Sequence, residues 1–472
     1  RPLMADSASV ASRTSPGRAR ALPPDFSMEA ATFFRCSLRR ATIPTCIPFD
    51  PKRRAIARPI PLEAPVTRAT RFSPMGEGRR SSVKAPRTRP TYFLRRTRKT
   101  PIPPARSQTR ARRNIDVTGR NRGIMIWSRA KVFWVVSLRA PMRAVRFEAD
   151  GSVESVNVPV PPVGPEDVLV QVLAVGVCHT DLHILDQVAS GARQPVVPGH
   201  EIAGKVVKIG SDVYMINAGD LVAVHFEQPC GQCRHCRKKR TNLCQEGHSL
   251  GFDVQGGYAE YVKARQDTVL PLPPEMDPAL AAPLGCSGAT AYRAVVALGN
   301  AGEEDLVVVI GAGGVGLSAV QIAKAQGARV LAVDLREEAR KAALDAGAES
   351  AVSPEDAKVF RDADIVVDFV GLGSTLELGR SLLGVGGRYV AVAAGAESVP
   401  MTATDIMEGG RAYLGSYSST MADLARVISL AEVGRLKPFV TRRAPLEDAE
   451  SVLSDLRDGK IVGRAVLEPT AV

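Results

Sequence analysis

Two residues in one stretch of the chain are of types that hold zinc in proteins. Cys178 lies in Gly-Val-Cys-His-Thr-Asp-Leu-His, and His200 lies in the following Gly-His-Glu. A thiolate and an imidazole both suit Zn²⁺, and a catalytic zinc usually has three protein ligands and one open position. The pair therefore predicts half of a catalytic zinc site whose third ligand comes from elsewhere. The alternative is an ordinary buried cysteine and a hydrogen-bonded core histidine.

A second group of cysteines is more closely spaced. The chain reads Cys-Gly-Gln-Cys-Arg-His-Cys and adds a fourth cysteine eight positions later. Four thiolates on a short loop are typical of a closed tetrahedral zinc that orders the loop and performs no chemistry. An iron-sulfur cluster is the alternative, because cysteines at similar spacing also hold clusters. The four ligands predicted here are Cys230, Cys233, Cys236 and Cys244.

A glycine-rich loop predicts a dinucleotide site. It follows the apolar run at residues 306 to 310, opens a helical pattern, and is followed by Asp334 at the end of the next strand pattern. Such glycines admit a pyrophosphate to a helix N-terminus, and the acid bonds the adenosine ribose. Asp334 favours NAD over NADP, because two like charges about 4 Å apart cost about 4 kcal/mol at an effective dielectric constant of about 20. Arg336 either softens that preference or is a helix-start surface charge. The loop residues predicted to bind the cofactor are Gly311, Gly313, Gly314, Val315 and Gly316.

The elements that must position these motifs fall into two patterns. From Met142, short β-rich runs at 142–147, 167–175, 201–209, 221–226 and 256–261 are separated by turn residues, which predicts a mainly β domain. From residue 291 onward, strand patterns at 306–310 and 329–333 alternate with helical patterns at 317–326 and 336–346. That alternation predicts a doubly wound parallel sheet and an α/β class overall.

The charge of the chain is unevenly distributed. The whole chain carries +13, but residues 1 to 141 hold 31 basic and 7 acidic residues, a net of +24. The remainder has 62 − 31 = 31 basic and 49 − 7 = 42 acidic residues, a net of −11. No basic groove for nucleic acid is therefore expected in the globular part. The extension is predicted to lack regular secondary structure, being rich in Arg, Pro and Ser.

Three interpretations of residues 1 to 141 remain open. They are a disordered basic arm that binds nucleic acid, an organelle transit peptide, or translated upstream sequence that is not native to the protein. The last is favoured, because Met142 is a natural start directly before a clear strand pattern. Six of the eight cysteines lie in groupings that suit metal better than disulfides, which favours a reducing, cytoplasmic compartment. No apolar run reaches the length of a membrane span.

The segment Ala-Pro-Leu-Gly-Cys286-Ser-Gly-Ala-Thr290 lies between the two predicted domains, where a cleft is expected. Together with the cysteine and histidine motifs and the glycine-rich loop, this segment makes residues 142 to 467 resemble the zinc-dependent medium-chain alcohol dehydrogenase family. The resemblance implies a GroES-like catalytic domain over 142–287, a Rossmann NAD-binding domain over 288–416, and completion of the catalytic domain by 417–472. It implies two zinc ions per chain, NAD as the cofactor, and a homodimer or homotetramer.

The same resemblance assigns roles to individual residues. It makes Cys178, His200 and Cys286 the catalytic zinc ligands, and it places Glu201 beside the metal. Thr180 would hold the substrate hydroxyl, and His183 would pass its proton to solvent. Thr290 would contact the nicotinamide side and Arg464 the pyrophosphate. Structural alternatives are that Thr180 and Thr290 cap helices, that His183 is a surface histidine, and that Asp181 is a capping carboxylate or one that supports a ligand.

The implied function is oxidation of an alcohol by NAD, with reduction of the aldehyde or ketone in reverse. Cysteine at position 286, where polyol dehydrogenases of this kind commonly carry an acid, favours simple alcohols. Relatives that prefer small alcohols carry bulky tryptophans near this stretch, whereas this chain has Leu185 and Ala189. With Phe226 as a wall, they predict a pocket for medium-length, cyclic or aromatic alcohols. The alternatives are a formaldehyde- or aldehyde-handling relative of the same fold, and a nucleic-acid-binding protein that acts through its basic arm.

Overall fold

The computed structural model describes residues 141–393, 395 and 397–469, and the backbone of residues 111–115, 121–128 and 131–135. Within the separate unit Leu38–Val136, strands β1 (Ala111–Ile115), β2 (Asn121–Ser128) and β3 (Lys131–Val135) form an antiparallel sheet. The predicted absence of regular structure is therefore wrong for these three segments. Strands β2 and β3 contain β-branched and aromatic residues, which favour strands. The rest of the predicted disorder of residues 1 to 141 lies outside the described residues.

The β-rich part of the chain begins at Met142, as the sequence predicts. Its strands are β4 (Met142–Phe147), β5 (Val153–Val158), β6 (Asp167–Val177), β7 (Glu201–Ile209), β8 (Leu221–Val224), β9 (Glu227–Gln228), β10 (His248–Ser249), β11 (Tyr261–Arg265) and β12 (Val269–Pro271). Its helices are α1 (His179–Ala189), α2 (Arg234–Arg237) and α3 (Pro278–Ala281).

The coenzyme part begins with α4 (Ser287–Tyr292), which continues as the π-helical turn Arg293–Leu298. Its strands are β13 (Leu306–Ile310), β14 (Arg329–Val333), β15 (Ser350–Val352), β16 (Ala363–Asp368), β17 (Leu383–Ala391) and β18 (Ala412–Gly415). Its helices are α5 (Gly314–Ala325), α6 (Glu337–Asp345), α7 (Pro354–Ala357), α8 (Gly373–Leu382), α9 (Ala403–Met407) and α10 (Met421–Glu432). The chain ends with β19 (Val440–Pro445), α11 (Ala449–Arg457) and β20 (Arg464–Glu468).

Strand β6 organises the catalytic sheet, whose strand order is β12-β8-β7-β6-β20-β19, with β11 also on β6. It pairs with β7, β11 and β20 along its length, and most of its residues are buried in the cores on the two faces of the sheet. The antiparallel pairing of β20 with β6 brings the C-terminal tail back to the strand that leads into Cys178. The tail therefore contributes directly to the site.

The strand predicted over residues 256 to 261 is displaced. The structure begins β11 only at Tyr261, and the preceding residues form a loop. Gly256 N–H donates to the Val197 carbonyl at 2.8 Å, and Gly257 N–H donates to the Gly199 carbonyl at 2.7 Å. A Cβ on Gly256 would lie 2.3 Å from the Gly199 oxygen, so only glycine permits this approach. The two glycines clamp the segment that precedes His200.

The six-stranded sheet has the order β15-β14-β13-β16-β17-β18 and is parallel throughout. Its central strand β13, Leu-Val-Val-Val-Ile, is buried along nearly its whole length. Continuous apolar runs of this kind belong to parallel sheets that are covered on both faces. Helix α10 packs on α4, and its buried residues join the same core. None of the helices in the described residues is long and apolar enough to cross a membrane.

Candidate metal and coenzyme site

Three of the predicted metal ligands come from three separate elements. Cys178 is the N-cap of α1, His200 directly precedes β7, and Cys286 is the N-cap of α4. Together with a carboxylate oxygen of Glu201, their donor atoms all lie within 4.8 Å of one another. The fold thus joins residues that are far apart in the chain into one set of two sulfurs, one nitrogen and one carboxylate.

The chemistry of this set fits a divalent cation. His200 is fully buried, and its Nε2 has no hydrogen-bond partner in the described part of the chain. When both thiols and the Asp181 and Glu201 carboxyl groups are ionised, as metal binding requires of the thiols, the set carries four negative charges, and the neighbouring Arg464 returns one positive charge. Burying that excess without compensation is costly. A dication at the donors offsets most of it, and two thiolates with one imidazole are a ligand set used by zinc.

Asp181 supports this set from behind. Its Oδ1 lies 3.2 Å from His200 Nδ1, and its Oδ2 accepts the Cys178 N–H at 2.8 Å and the Tyr258 hydroxyl at 3.2 Å. Burial alone would lower the pKa of His200, but the Asp181 carboxylate outweighs it and raises that pKa well above its usual value. A carboxylate beside the second nitrogen of a metal-binding histidine orients the ring. Asp181 therefore both caps α1 and supports the His200 ring. The hydrogen bond from Tyr258 to Asp181 has no signal in the sequence.

The two thiols of the set are close enough to perturb each other. A hydrogen bond from Cys286 lowers the pKa of Cys178, aided by the positive charge of Arg464 and opposed by burial. The same hydrogen bond raises the pKa of Cys286, and burial adds to it. Cys178 is accordingly the first of the two to become a thiolate, which is the form that binds metal.

Glu201 and Arg464 form a buried ion pair next to the donors. Arg464 Nη2 lies 3.0 Å from Glu201 Oε1, with 4% and 0% of the side chains exposed. Burial raises the pKa of Glu201 to about 7, while the charge of Arg464 opposes the rise. A Cβ at Gly176 would lie 2.0 Å from Glu201 Oε2, so this glycine makes room for the carboxylate. A Cβ at Gly314 would likewise lie 2.8 Å from Arg464 Nε. Arg464 therefore lies between the metal set and the glycine loop.

The predicted glycine loop joins β13 to α5. Gly311 adopts φ +89°, a left-handed conformation that favours glycine. A Cβ at Gly316 would lie 1.9 Å from the Gly311 carbonyl oxygen, so only glycine lets the helix start so close to the strand. Asp334 holds this loop as well: its Oδ2 accepts the Ala312 N–H at 2.8 Å, and its Oδ1 accepts the Arg336 N–H at 2.9 Å. Gly313, Gly314 and Val315 lie in the same turn.

Helices α1 and α4 carry the remaining predicted residues. Thr180 is the second residue of α1, with its Oγ1 3.6 Å from Cys178 Sγ, and His183 is exposed one turn later. Thr290 is buried inside α4, and its N–H donates to the Cys286 carbonyl at 2.8 Å. The alternative in which Thr180 and Thr290 are N-caps is wrong, because cysteines occupy both N-cap positions.

An aromatic wall stands beside His200. The ring centroid of Phe226 lies 5.3 Å from that of His200, and the centroid of Phe252 lies 5.2 Å away. Phe226 is the aromatic residue that the sequence predicts beside the site. Phe252 lies in a loop, where no periodic pattern predicts its position. Ile184 is packed into the core of the catalytic domain. Ala189 is exposed near Gly151.

The four-cysteine loop forms a second donor set between β9 and β10. The Cys233 sulfur lies 3.5 Å from that of Cys236 and 4.0 Å from that of Cys244, and Cys230 lies 3.9 Å from Cys236. A tetrahedral zinc with Zn–S bonds of about 2.3 Å separates its sulfurs by about 3.8 Å. The spacing therefore fits one ion held by four thiolates. A cluster of several metals would hold the sulfurs farther apart.

Comparison with known proteins agrees with this architecture. Residues 164–274 match the alcohol dehydrogenase GroES-like domain, and residues 314–432 match the zinc-binding dehydrogenase family. The NAD-dependent alcohol dehydrogenase of Sulfurisphaera tokodaii is 36% identical over 349 residues, which cover 70% of this chain and all of that one. The solved alcohol dehydrogenase of Aeropyrum pernix superposes with a TM-score of 0.65 at 29% identity, covering 69% of this chain and 100% of that one. The acetophenone reductase of Geotrichum candidum, solved with NAD, gives a TM-score of 0.63 at 32% identity, covering 70% and 97%.

A GroES-like sheet, a Rossmann sheet and a thiolate-imidazole set between them define a medium-chain dehydrogenase. The chain belongs to the zinc-binding alcohol dehydrogenase family, and it is an oxidoreductase. The family resemblance and fold class predicted from the sequence are confirmed.

Proposed function

We propose that this chain uses zinc to transfer a hydride between NAD and a medium-length, cyclic or aromatic alcohol, and that it reduces the corresponding aldehyde or ketone in reverse. Zinc and NAD are its cofactors. The observation that carries the proposal is the buried set of Cys178, His200 and Cys286, joined through Arg464 to the glycine loop.

Cys178, His200 and Cys286 would hold the catalytic zinc, which when bound acts as a Lewis acid and lowers the pKa of an alcohol hydroxyl. Three protein ligands leave one position for substrate. Asp181 keeps the His200 ring in place from behind. Glu201 and Arg464 balance charge beside the donors, so that the set is not left with an uncompensated buried carboxylate.

Helix α1 would carry the proton away from the substrate. Thr180 is placed beside Cys178, where its hydroxyl can accept the proton of a substrate hydroxyl. His183 is exposed on the same helix, where its imidazole would pass the proton to water. A positioned proton path of this kind contributes about 10²- to 10⁴-fold in rate. His183→Gln is therefore expected to slow turnover at neutral pH by about tenfold or more, with less change at high pH, where base in solution takes over.

The glycine loop would hold the pyrophosphate of NAD, with Gly311, Gly313, Gly314, Val315 and Gly316 around it and Arg464 as the cation. Asp334 would bond the adenosine ribose, and Thr290 would contact the nicotinamide side. Because Asp334 also accepts the Ala312 N–H, its replacement alters the loop as well as the charge. Asp334→Asn keeps the size of the side chain and removes its charge, and its single amide oxygen accepts one of the two N–H groups that Asp334 holds. In this variant the preference in affinity for NAD over NADP should fall by up to about a thousandfold.

The four thiolates of Cys230, Cys233, Cys236 and Cys244 would hold a second zinc per chain, which closes its own coordination and leaves no position for substrate. We also propose a homodimer or homotetramer. Within the described residues β18 ends the six-stranded sheet, and the exposed apolar side chains of Val385 and Met407 lie in β17 and at the end of α9. Light scattering of the purified protein tests this, and a monomer at micromolar concentration would contradict it.

A steady-state panel tests the substrate class. With full-length protein and NAD, benzyl alcohol and cyclohexanol should exceed ethanol in kcat/KM, because Phe226 and Phe252 supply an apolar wall at His200. Ethanol exceeding both would contradict the wide pocket. Formaldehyde as the best substrate would instead favour the aldehyde-handling alternative.

Residues 1 to 141 are proposed to be dispensable, and the protein is proposed to act in the cytoplasm. A chain that starts at Met142 should match the full chain in kcat/KM and in melting temperature. Loss of folding or turnover in the shorter chain would contradict this. Salt-dependent binding of DNA by the full chain, but not by the chain that starts at Met142, would support a nucleic-acid role for the extension.

A further inference from the structure

The four-cysteine loop is tied to a segment outside itself by one buried amide. Asn242, on the short 3₁₀ turn Thr241–Leu243 before Cys244, is 3% exposed. Its Nδ2 donates to the Tyr417 carbonyl at 2.8 Å, across 175 positions of sequence. A side-chain amide on a surface loop ordinarily faces water, and burying one is unfavourable unless it makes a hydrogen bond. The bond therefore fixes the chain around Tyr417 relative to the loop.

The segment that Asn242 holds is strained. It runs from Ser416 to Thr420, between β18 and α10. Ser418 has φ +51°, a left-handed conformation that non-glycine residues seldom adopt. Such a conformation persists only where the surroundings fix it. The ends of this segment are fixed by the Ser416 N–H, which donates to the Ala391 carbonyl, and by the bonds of Thr420 to Asp423. Between these ends, the Asn242 bond holds Tyr417 and a bond to His225 holds Ser419.

At Ser419 the segment meets the catalytic domain. His225 is 1% exposed; its Nδ1 accepts the Glu227 N–H at 3.2 Å, and its Nε2 lies 3.1 Å from Ser419 Oγ. The Glu227 bond places the ring proton on Nε2, so His225 donates to Ser419. Burial lowers the pKa of His225 to about 4, which keeps the ring neutral in this arrangement at neutral pH.

His225 in turn positions the aromatic wall. Its ring stacks on Phe226 with centroids 5.5 Å apart and planes 2° apart, and Phe226 meets His200 edge-on at 5.3 Å. Each step from the loop to His200 is thus a hydrogen bond, a covalent link between neighbours or a ring contact. A continuous series of contacts therefore links the four-cysteine loop to the aromatic wall at Phe226.

We propose that Asn242 is a positioning residue for the substrate pocket: through the Ser416–Thr420 segment and His225 it sets the placement of Phe226 against His200. This inference rests on the proposed function, in which His200 holds the catalytic metal. It gives the four-cysteine loop a role in substrate binding besides stability. Phe226 is an apolar wall beside His200 and carries no proton, so the effect falls on KM for bulky alcohols more than on kcat.

The test compares Asn242→Ala with Thr241→Ala, a neighbour whose side chain makes no hydrogen bond within the described residues. Zinc content, melting temperature, KM and kcat for benzyl alcohol, and KM for NAD are measured on full-length protein. Hydrogen exchange is measured on the zinc-loaded protein without substrate. In Asn242→Ala the amides of residues 416 to 420 and 225 to 227 should exchange faster, and KM for benzyl alcohol should rise about tenfold. KM for NAD should change less than threefold, and Thr241→Ala should match the parent.

A second variant approaches the path from its other end. Ser419→Ala removes the bond to His225 without touching the four-cysteine loop, and it should give the same rise in KM with zinc content unchanged. Unchanged KM in Ser419→Ala, or faster exchange confined to the loop in Asn242→Ala, would overturn the proposal. If the parent protein oxidises no alcohol, the proposed function fails. The exchange data then still decide whether Asn242 orders residues 225 to 227.

Discussion

The two cysteine groups of this chain offer similar ligand atoms in opposite surroundings. Cys178 and His200 are 5% and 0% exposed, and buried charges of both signs flank them. In the four-cysteine loop only Cys236 is buried among the ligands, and the neighbouring cations are exposed. Those cations are Arg234, Arg237, Lys238, Lys239 and Arg240. Three donors in a buried cleft leave a position for chemistry, whereas four donors at the surface close the coordination sphere.

The largest expected effect separates the two groups by activity. His200→Ala removes one of three catalytic donors and should lower kcat/KM at least a thousandfold, because the substrate hydroxyl loses its Lewis acid. NAD binding, measured by calorimetry, should persist, since the glycine loop is untouched. His248→Ala is the matched control, an exposed histidine in the same domain. Near-normal turnover in His200→Ala would contradict the assignment of His200 as a catalytic metal ligand.

The next effect separates them by stability. Cys244→Ala should lower the melting temperature by about 10 °C or more, because a structural zinc contributes many kcal/mol to folding in model fingers and this loop lacks a core of its own. The fraction of this variant that retains the catalytic zinc should have a kcat within about tenfold of the parent value. Differential scanning fluorimetry with metal analysis measures this. An unchanged melting temperature would show that the loop needs no metal.

A finer effect tests the carboxylate behind His200, which has no counterpart among the loop cysteines in the described residues. Asp181→Asn should lower catalytic metal affinity and kcat about 10- to 100-fold, since it weakens the support of the ligand ring. Asp186→Asn, on the exposed side of the same helix, is the control. Competition with a zinc chelator gives the affinity. Equal zinc retention in the two variants would remove Asp181 from the account.

The smallest effect concerns the cations around the loop. Lys238→Gln should change the free energy of unfolding by less than about 0.5 kcal/mol, as most exposed surface substitutions do. Urea titration measures it. A loss of more than 2 kcal/mol would mean that the cations hold the loop together and do more than form a solvated surface.

The sequence predicts the parts of this molecule that are local. The Gly-His-Glu motif, the spaced cysteines and the strand-glycine-helix run around Gly311 each signal their chemistry within a few residues. The doubly wound sheet follows from alternating patterns. The strand at residues 256 to 261 is misplaced because its glycines serve a close approach to Gly199 that no local pattern encodes.

What the sequence does not predict are contacts between distant segments. Tyr258 reaches Asp181 across 77 positions, and His225 reaches Ser419 across 194. Arg464 is predicted at the pyrophosphate, yet its ion pair with Glu201 appears only once β20 pairs with β6. Strands β1 to β3 escape prediction because Arg and Pro dominate the composition of the extension. Pairwise geometry of this kind depends on the whole fold.

The most direct test of the account is the zinc content per chain, measured by mass spectrometry on the parent protein, His200→Ala and Cys244→Ala, with turnover assayed on the same samples. The account predicts two zinc ions in the parent and one in each variant, with turnover lost in His200→Ala and largely kept by the folded fraction of Cys244→Ala. A parent with one zinc or none, or a His200→Ala protein that keeps both its zinc and its turnover, would contradict it.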